Sequence, residues 1–373
     1  MTEKRKISSI QMALLMYPTI VATAVLSVPA TTGRLAKNDL WMSPIWASSI
    51  GFLTVYLAVQ LHKIYPKQSF MQYSEHILGK VLGKVVGFLY LVFFLQITGS
   101  IVRLYGEFVK GVFLAFTPMI VVIGVMILVC SFAVRSGVEV VARVAQVFAP
   151  LFLLPLPTLF VFLYLDLRPE NMLPILENGL IPSLRGAVQP QAWFGEVFVI
   201  SFFLPFVTDE NKSIKWSMIS VTSVMIVLVS VNLVALFLYD LEVSVRRFPI
   251  MLAFRYISIA DFIENIESII MAVWVTGVFL KITVFYYVIV SAASQWMRLS
   301  DQRSIVLPMG FLITLFSFWA FSDVAKVEQF DIVAFPFYGT LFQTVIPGLL
   351  LIIAFFRKKK APAKKDTDIQ DNI

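Results

Sequence analysis

The chain has 373 residues, of which 59% are hydrophobic and 14% charged, with a mean hydropathy of +0.85 and a formal net charge of +7. A composition this apolar excludes a soluble globular domain of that size and points to an integral membrane protein. The one cysteine, Cys130, excludes an internal disulfide and reads as a small apolar filler.

A spanning helix takes about 20 apolar residues to cross a hydrocarbon core of ~30 Å. Ten stretches qualify, at residues 10–33, 42–62, 84–106, 112–133, 144–165, 188–208, 217–239, 265–290, 304–322 and 335–356. With the first residues placed in the cytoplasm, nineteen of the 30 Lys and Arg fall in inside segments, ten fall outside, and Lys281 lies within span eight. That bias predicts both termini in the cytoplasm. It also makes the positive charge a topological signal rather than a nucleic-acid footprint. The apolar run after Lys4-Arg5-Lys6 is too long for a signal peptide and lacks a small-residue cleavage site, so it reads as an uncleaved first span.

Span one carries Ala22-Thr23-Ala24 at mid-membrane, with Pro18 before it and Ser27 and Pro29 after it. Pro29 has no N–H to donate and disturbs the preceding turn. The reading is a broken helix whose freed backbone groups bind a small zwitterion. A proline kink packed by small residues is equally compatible. Between spans two and three, Gly79, Gly83 and Gly87 recur every four residues and make a helix face for close packing. They do not form a phosphate loop, which needs four residues between its glycines and Ser or Thr after the lysine. His62 and His76 in this region lack metal-ligand spacing. In span three, Gln96, Ser100 and Arg103 share a face suited to a polar path, while Arg103 and Glu107, at i and i+4, are the more natural pair.

Span six places Gly195-Glu196 near its middle and Pro205 near its end. A carboxylate at this depth is costly and marks a functional site by default; a structural ion pair is the bland alternative. The loop 240–264 mixes Phe248, Ile250, Met251 and Phe254 with Arg246, Arg247 and Arg255. This suits either an amphipathic helix over the outer face or a loop packed on its neighbours. Span eight holds Lys281 deep in the membrane, where its ammonium can replace a metal cation among backbone carbonyls or snorkel to the cytoplasmic face. Residues 357–373 are basic and then acidic, and are expected to form a disordered cytoplasmic tail.

These elements predict an all-α integral membrane protein with a single transmembrane domain over residues 1–356. Its halves, about 10–165 and 188–356, have five spans each. An odd number of spans per half requires an inverted repeat, with helices 1 and 6 broken in corresponding places. No nucleophile elbow, zinc motif or dinucleotide fingerprint is present, so neither an enzyme nor a metal or organic cofactor is expected.

Several stretches together resemble one family, the B subunits of spore germinant receptors, or spore germination permeases, of the amino acid–polyamine–organocation transporter superfamily. They are Arg103-Leu-Tyr-Gly-Glu-Phe through Thr117-Pro118, Gly137-Val-Glu139-Val-Val-Ala-Arg143, Asn171-Met-Leu-Pro174-Ile-Leu-Glu177-Asn178-Gly179, Phe194-Gly195-Glu196 with Leu204-Pro205, and Trp274 through Lys281 followed by Tyr286-Tyr287. The resemblance implies ten helices in the leucine-transporter-type fold. It also implies a nutrient-sensing subunit of the endospore inner membrane, acting with A and C subunits on a small nutrient such as an amino acid. A proton-coupled amino-acid transporter is the alternative. Amino-acid transporters of the superfamily commonly carry glycines where this chain has Ala22-Thr23-Ala24, so the space beside that backbone is narrower here. The candidate ligand-binding residues, between spans one, three, six and eight, are Ala22, Thr23, Ala24, Ile97, Gly195, Glu196, Val197, Thr276 and Lys281.

Overall fold

A computed structural model describes residues 6–152, 154–257 and 266–360. The chain runs through α1 (Ser9–Ala36), α2 (Ser43–Ile64), a short α3 (Phe70–Leu78), α4 (Lys80–Val112), α5 (Met119–Ser136), α6 (Val138–Leu151), α7 (Pro155–Leu163) and α8 (Ile181–Gly186). A segmented stretch follows: α9 (Pro190–Gly195), a 3₁₀ turn (Glu196–Val199), α10 (Ile200–Phe203) and a second 3₁₀ turn (Leu204–Phe206). Then come α11 (Ser213–Tyr239), α12 (Pro249–Tyr256), α13 (Ile266–Met297), α14 (Val306–Trp319), α15 (Val324–Gln329), α16 (Phe335–Thr340) and α17 (Ile346–Lys360). Eight helical segments among the described residues are long and apolar enough to cross a membrane. The first, Ser9–Ile64, has 56 residues and contains both α1 and α2.

The structure corrects the expected break in span one, because α1 is continuous through Pro18 and Pro29. Alanine is the strongest helix former, so Ala22-Thr23-Ala24 favours the helix that glycines would weaken. Side chains also occupy carbonyls along it. Thr19 donates to the Leu15 carbonyl at 2.6 Å, Thr32 donates to that of Val28 at 2.7 Å, and the Trp274 indole donates to that of Ala22 at 2.7 Å. The sixth stretch is segmented as expected, and its 3₁₀ turn begins at Glu196. Short 3₁₀ pieces within a helix often mark a functional hinge.

The segmented stretch is held by packing. Phe198 meets Phe70 of α3 edge-on at 5.1 Å and lies 5.7 Å from Tyr90 of α4, while Phe202 meets Phe94 of α4 edge-on at 5.6 Å. Phe93 stacks on Phe342 at 4.6 Å, which brings the last helical segment into the same cluster. In a bilayer, where lipid is as apolar as a side chain, such packing is what associates helices. The start of α1 is tied to the end of the segmented stretch: the Ile7 N–H donates to the Phe206 carbonyl at 3.0 Å, and the Ser9 N–H donates to Asp209 Oδ1 at 2.7 Å.

Two sequence boundaries move. The last span begins earlier than residue 335: a helical segment runs from Val324 with π-helical turns at Phe330–Ala334 and Leu341–Val345. The loop after α11 contains α12, whose Ile250, Met251, Ala253 and Phe254 are buried against their neighbours. Arg247 and Phe248 at its head line a cavity of about 290 Å³. Of the expected glycine face, Gly83 and Gly87 pack closely, since a Cβ there would lie 2.5 Å from the Glu75 Cα and 2.8 Å from the Met71 Cε, whereas Gly79 precedes α4 at a φ of 88° and meets no neighbour. Residues 361–373 of the expected tail and residues 258–264 of the loop lie outside the described residues.

Candidate functional site

The centre of the molecule holds an ion pair. Lys281, on α13, reaches Glu196 at the start of the 3₁₀ turn, with Nζ 2.7 Å from Oε2 and 3.0 Å from Oε1. Nζ also donates to Thr23 Oγ1 of α1 at 2.8 Å. An ammonium has three hydrogens and no acceptor, so these three oxygens saturate it. The side chains of Lys281 and Glu196 are 0% and 2% exposed. At that burial each charge depends on the other, because an unpaired ion in a low-dielectric interior is strongly unfavourable. Lys281 therefore neither snorkels to the surface nor plugs backbone carbonyls alone. It binds α1, α13 and the segmented stretch to one another.

The pair borders a cavity of about 10 Å³, enough for roughly one water molecule. Its walls include Thr23, Ile97, Trp193, Glu196, Lys281 and Asp331. A carboxylate presents about four lone-pair sites, and Lys281 uses two of those on Glu196. Glu196 thus retains acceptor capacity beyond its contacts with Lys281. Behind it lies an unusual contact. Gln343, within the second π-helical turn and 1% exposed, packs on Gly195, and neither its amide nitrogen nor its amide oxygen has a hydrogen-bond partner among the described residues. A buried, unpartnered amide is costly, and here it lies against the residue that precedes Glu196.

Of the nine residues singled out in the sequence, Thr23, Ile97, Glu196 and Lys281 converge on the cavity. Ala22 adjoins through its carbonyl, which accepts from Trp274. Gly195 faces Gln343. Ala24 and Val197 are wholly buried and absent from the cavity wall. Thr276 is also outside it, its hydroxyl donating to the Val273 carbonyl at 2.6 Å. Of the polar face on α4, Ser100 lines the cavity, while Arg103 donates to Glu107 at 2.7 Å and to the Ser322 carbonyl at 2.6 Å. Sequence reasoning missed Asp331. It falls between the spans at 304–322 and 335–356, and the signal that could have found it is the apolar run Ile332-Val-Ala-Phe-Pro336 that follows it.

A family model described as a spore germination protein matches residues 6–324. Spore germination protein KB of Bacillus subtilis (strain 168) is 26% identical over 369 residues, covering 97% of this chain and 98% of the relative. Spore germination protein YndE of the same strain is 23% identical over 367 residues, covering 95% and 98%. Among solved structures, a substrate-bound, outward-open Na⁺-coupled sialic acid symporter superimposes with a TM-score of 0.63 at 13% identity, covering 97% of this chain and 94% of that one. MhsT in complex with L-phenylalanine gives 0.61 at 13% identity, covering 94% and 99%. At these identities the structural likeness is one of fold: the chain shares the architecture of membrane transporters.

Proposed function

The chain belongs to the spore germination protein family, and from that premise we propose that it is the nutrient-sensing B subunit of a spore germinant receptor. It binds a small nutrient, an amino acid in the first instance, at mid-membrane and triggers germination with A and C subunits. The observation that carries this reading is the Thr23–Glu196–Lys281 cluster at the interruption of the segmented stretch. Buried ionisable groups at a helix break are where membrane transporters place their binding sites. In this reading the protein lies in the endospore inner membrane with both termini cytoplasmic.

Ten crossings in a 5+5 inverted repeat fit the same arrangement. The 56-residue first segment supplies two crossings, and the segmented stretch supplies one that is too interrupted to count as a single long helix. The contacts from Ile7 to Phe206 and from Ser9 to Asp209 set the start of α1 beside the end of the segmented stretch, the antiparallel relation an inverted repeat requires.

A sensor and a proton-coupled transporter differ in flux. With the purified chain reconstituted in liposomes and the common amino acids supplied as radiolabelled solutes, a sensor shows saturable, competable binding with no accumulation, with or without a proton gradient. Gradient-dependent accumulation would replace this reading with that of a transporter.

A further inference from the structure

A second polar cavity lies away from the Glu196–Lys281 pair. It encloses about 560 Å³ between α3, the start of α4 and the end of α13. Its wall includes Glu75 and His76 of α3, Lys80 of α4, Trp296 of α13 and Arg298 just beyond it. The Lys and Arg bias assigns these stretches to the cytoplasmic side. The cavity therefore sits at the level of the headgroups of that leaflet, where basic pockets between spanning helices take up anionic headgroups.

The charge around it is unbalanced. Arg298 Nη2 meets Glu75 Oε2 at 3.4 Å, a long contact that leaves its other N–H groups uncommitted. Lys80 is exposed at the rim and has neither an ion pair nor a hydrogen bond among the described residues. Lys84, four residues on, shares its face of α4. It donates to the Trp296 carbonyl and holds its ammonium 5.0 Å from the centre of the Trp296 ring, while the Trp296 indole donates back to the Lys84 carbonyl at 2.9 Å. Arg357 of α17 donates to the His76 carbonyl at 3.2 Å. Neither Lys84 nor Arg357 has a carboxylate partner among the described residues, so four cations surround the single carboxylate of Glu75.

The flank of the cavity is apolar. Val81, Leu82, Val85 and Phe88 of α4 are exposed, as is Phe356 beside Arg357. Phe88 lies 5.9 Å from Trp296 between ring centres, so this flank is continuous with the cavity wall. In a bilayer, acyl chains cover such side chains. A cationic pocket beside an acyl-covered face matches a molecule with a phosphate at one end and apolar chains at the other.

We propose that this cavity is a binding site for an anionic phospholipid, its headgroup phosphate held by Lys80 and Arg298 and its acyl chains lying along the exposed face of α4. A guanidinium fork and an ammonium are the two side-chain groups best suited to a phosphate. Lys84 and Arg357 strengthen the attraction from their fixed positions. A zwitterionic choline headgroup brings a cation of its own, which this surplus of positive charge repels. The site requires only that the chain span a membrane and is independent of whether it senses or transports.

The test is native mass spectrometry of the full chain in detergent with equimolar dioleoylphosphatidylglycerol and dioleoylphosphatidylcholine. The first lipid retained should be the anionic one, by about 10-fold. Lys80→Gln and Arg298→Gln, both at exposed positions where folding is not at stake, should each lower that preference about 5-fold, the effect of one basic charge near a headgroup. The double variant should bring it close to one. Lys63→Gln and Lys67→Gln remove the same charge from exposed positions outside the cavity wall and should leave the preference intact. Equal retention of the two lipids would overturn the proposal, and so would an equal fall in the Lys63 and Lys67 variants, which would reduce the effect to general surface charge. Retention should also survive millimolar inorganic phosphate and glycerol 3-phosphate. Displacement of the lipid by either would assign the pocket to a soluble phosphate compound instead.

Discussion

Glu196→Gln should lower the stability of the folded protein by about 3–5 kcal/mol, because it leaves the Lys281 ammonium fully buried without its counter-ion. Lys281→Met should cost a similar amount by stranding the carboxylate. The double variant should lose far less than the two single losses together, since it removes both charges while the introduced methionine side chain fills the volume of the lysine stem. Thermal unfolding in one detergent, with the amount of assembled protein measured alongside, gives the four corners of the cycle. The coupling energy should lie well above the roughly 0.5 kcal/mol scatter expected of independent sites. Additive losses would mean that the groups act separately, contrary to the 2.7 and 3.0 Å contacts.

Gly195→Val should also destabilise the protein, less than Glu196→Gln and for a steric reason. A Cβ at residue 195 falls onto the Gln343 amide oxygen and lies 3.4 Å from the Gln343 Cβ. Gln343 is 1% exposed and held in a π-helical turn, so it has little room to withdraw. Overpacking of a close-packed interior costs about 1–3 kcal/mol, and here it acts on the residue that precedes the 3₁₀ turn carrying Glu196. Gln343→Ala opens space opposite residue 195 and deletes two unpartnered polar atoms, so adding it to Gly195→Val should recover most of the lost unfolding temperature. If the double variant remains as unstable as Gly195→Val alone, the defect lies in the backbone conformation of residue 195 and not in its contact with Gln343.

What the sequence disclosed depended on how far each signal stood above its surroundings. Glu196 and Lys281 were legible because charge is rare among apolar residues at membrane depth, and that rarity alone marked both. Their direct contact was not, since it depends on how α13 crosses the segmented stretch. The break in span six was legible from Gly195 and Pro205. The same logic failed for span one, where Pro29 suggested a break but the alanines around Thr23 and the acceptor role of the Ala22 carbonyl towards Trp274 keep α1 helical. Asp331 was hidden by its neighbours: Asp323, Lys326 and Glu328 depress local hydropathy, so the stretch fell between two spans until the backbone showed it continuing into the last helix. Thr276 looked like a site hydroxyl, yet its proton is directed to the carbonyl three residues back, a partner that no spacing argument distinguishes from a ligand.

The central claim is that nutrient recognition runs through the Thr23–Glu196–Lys281 cluster, and Thr23→Val is its most direct probe. The change is nearly isosteric and removes only the hydroxyl that accepts from Lys281 at 2.8 Å, so both buried charges keep each other as partners. The measurement is the nutrient dose dependence of germination in spores that carry this receptor alone, with receptor abundance matched to the parent. Loss of a hydrogen bond to a charged group should raise the half-maximal nutrient concentration about 10-fold or more at unchanged abundance. A Thr23→Val receptor that assembles normally and responds with the parental dose dependence would contradict the claim and return the cluster to a purely structural role.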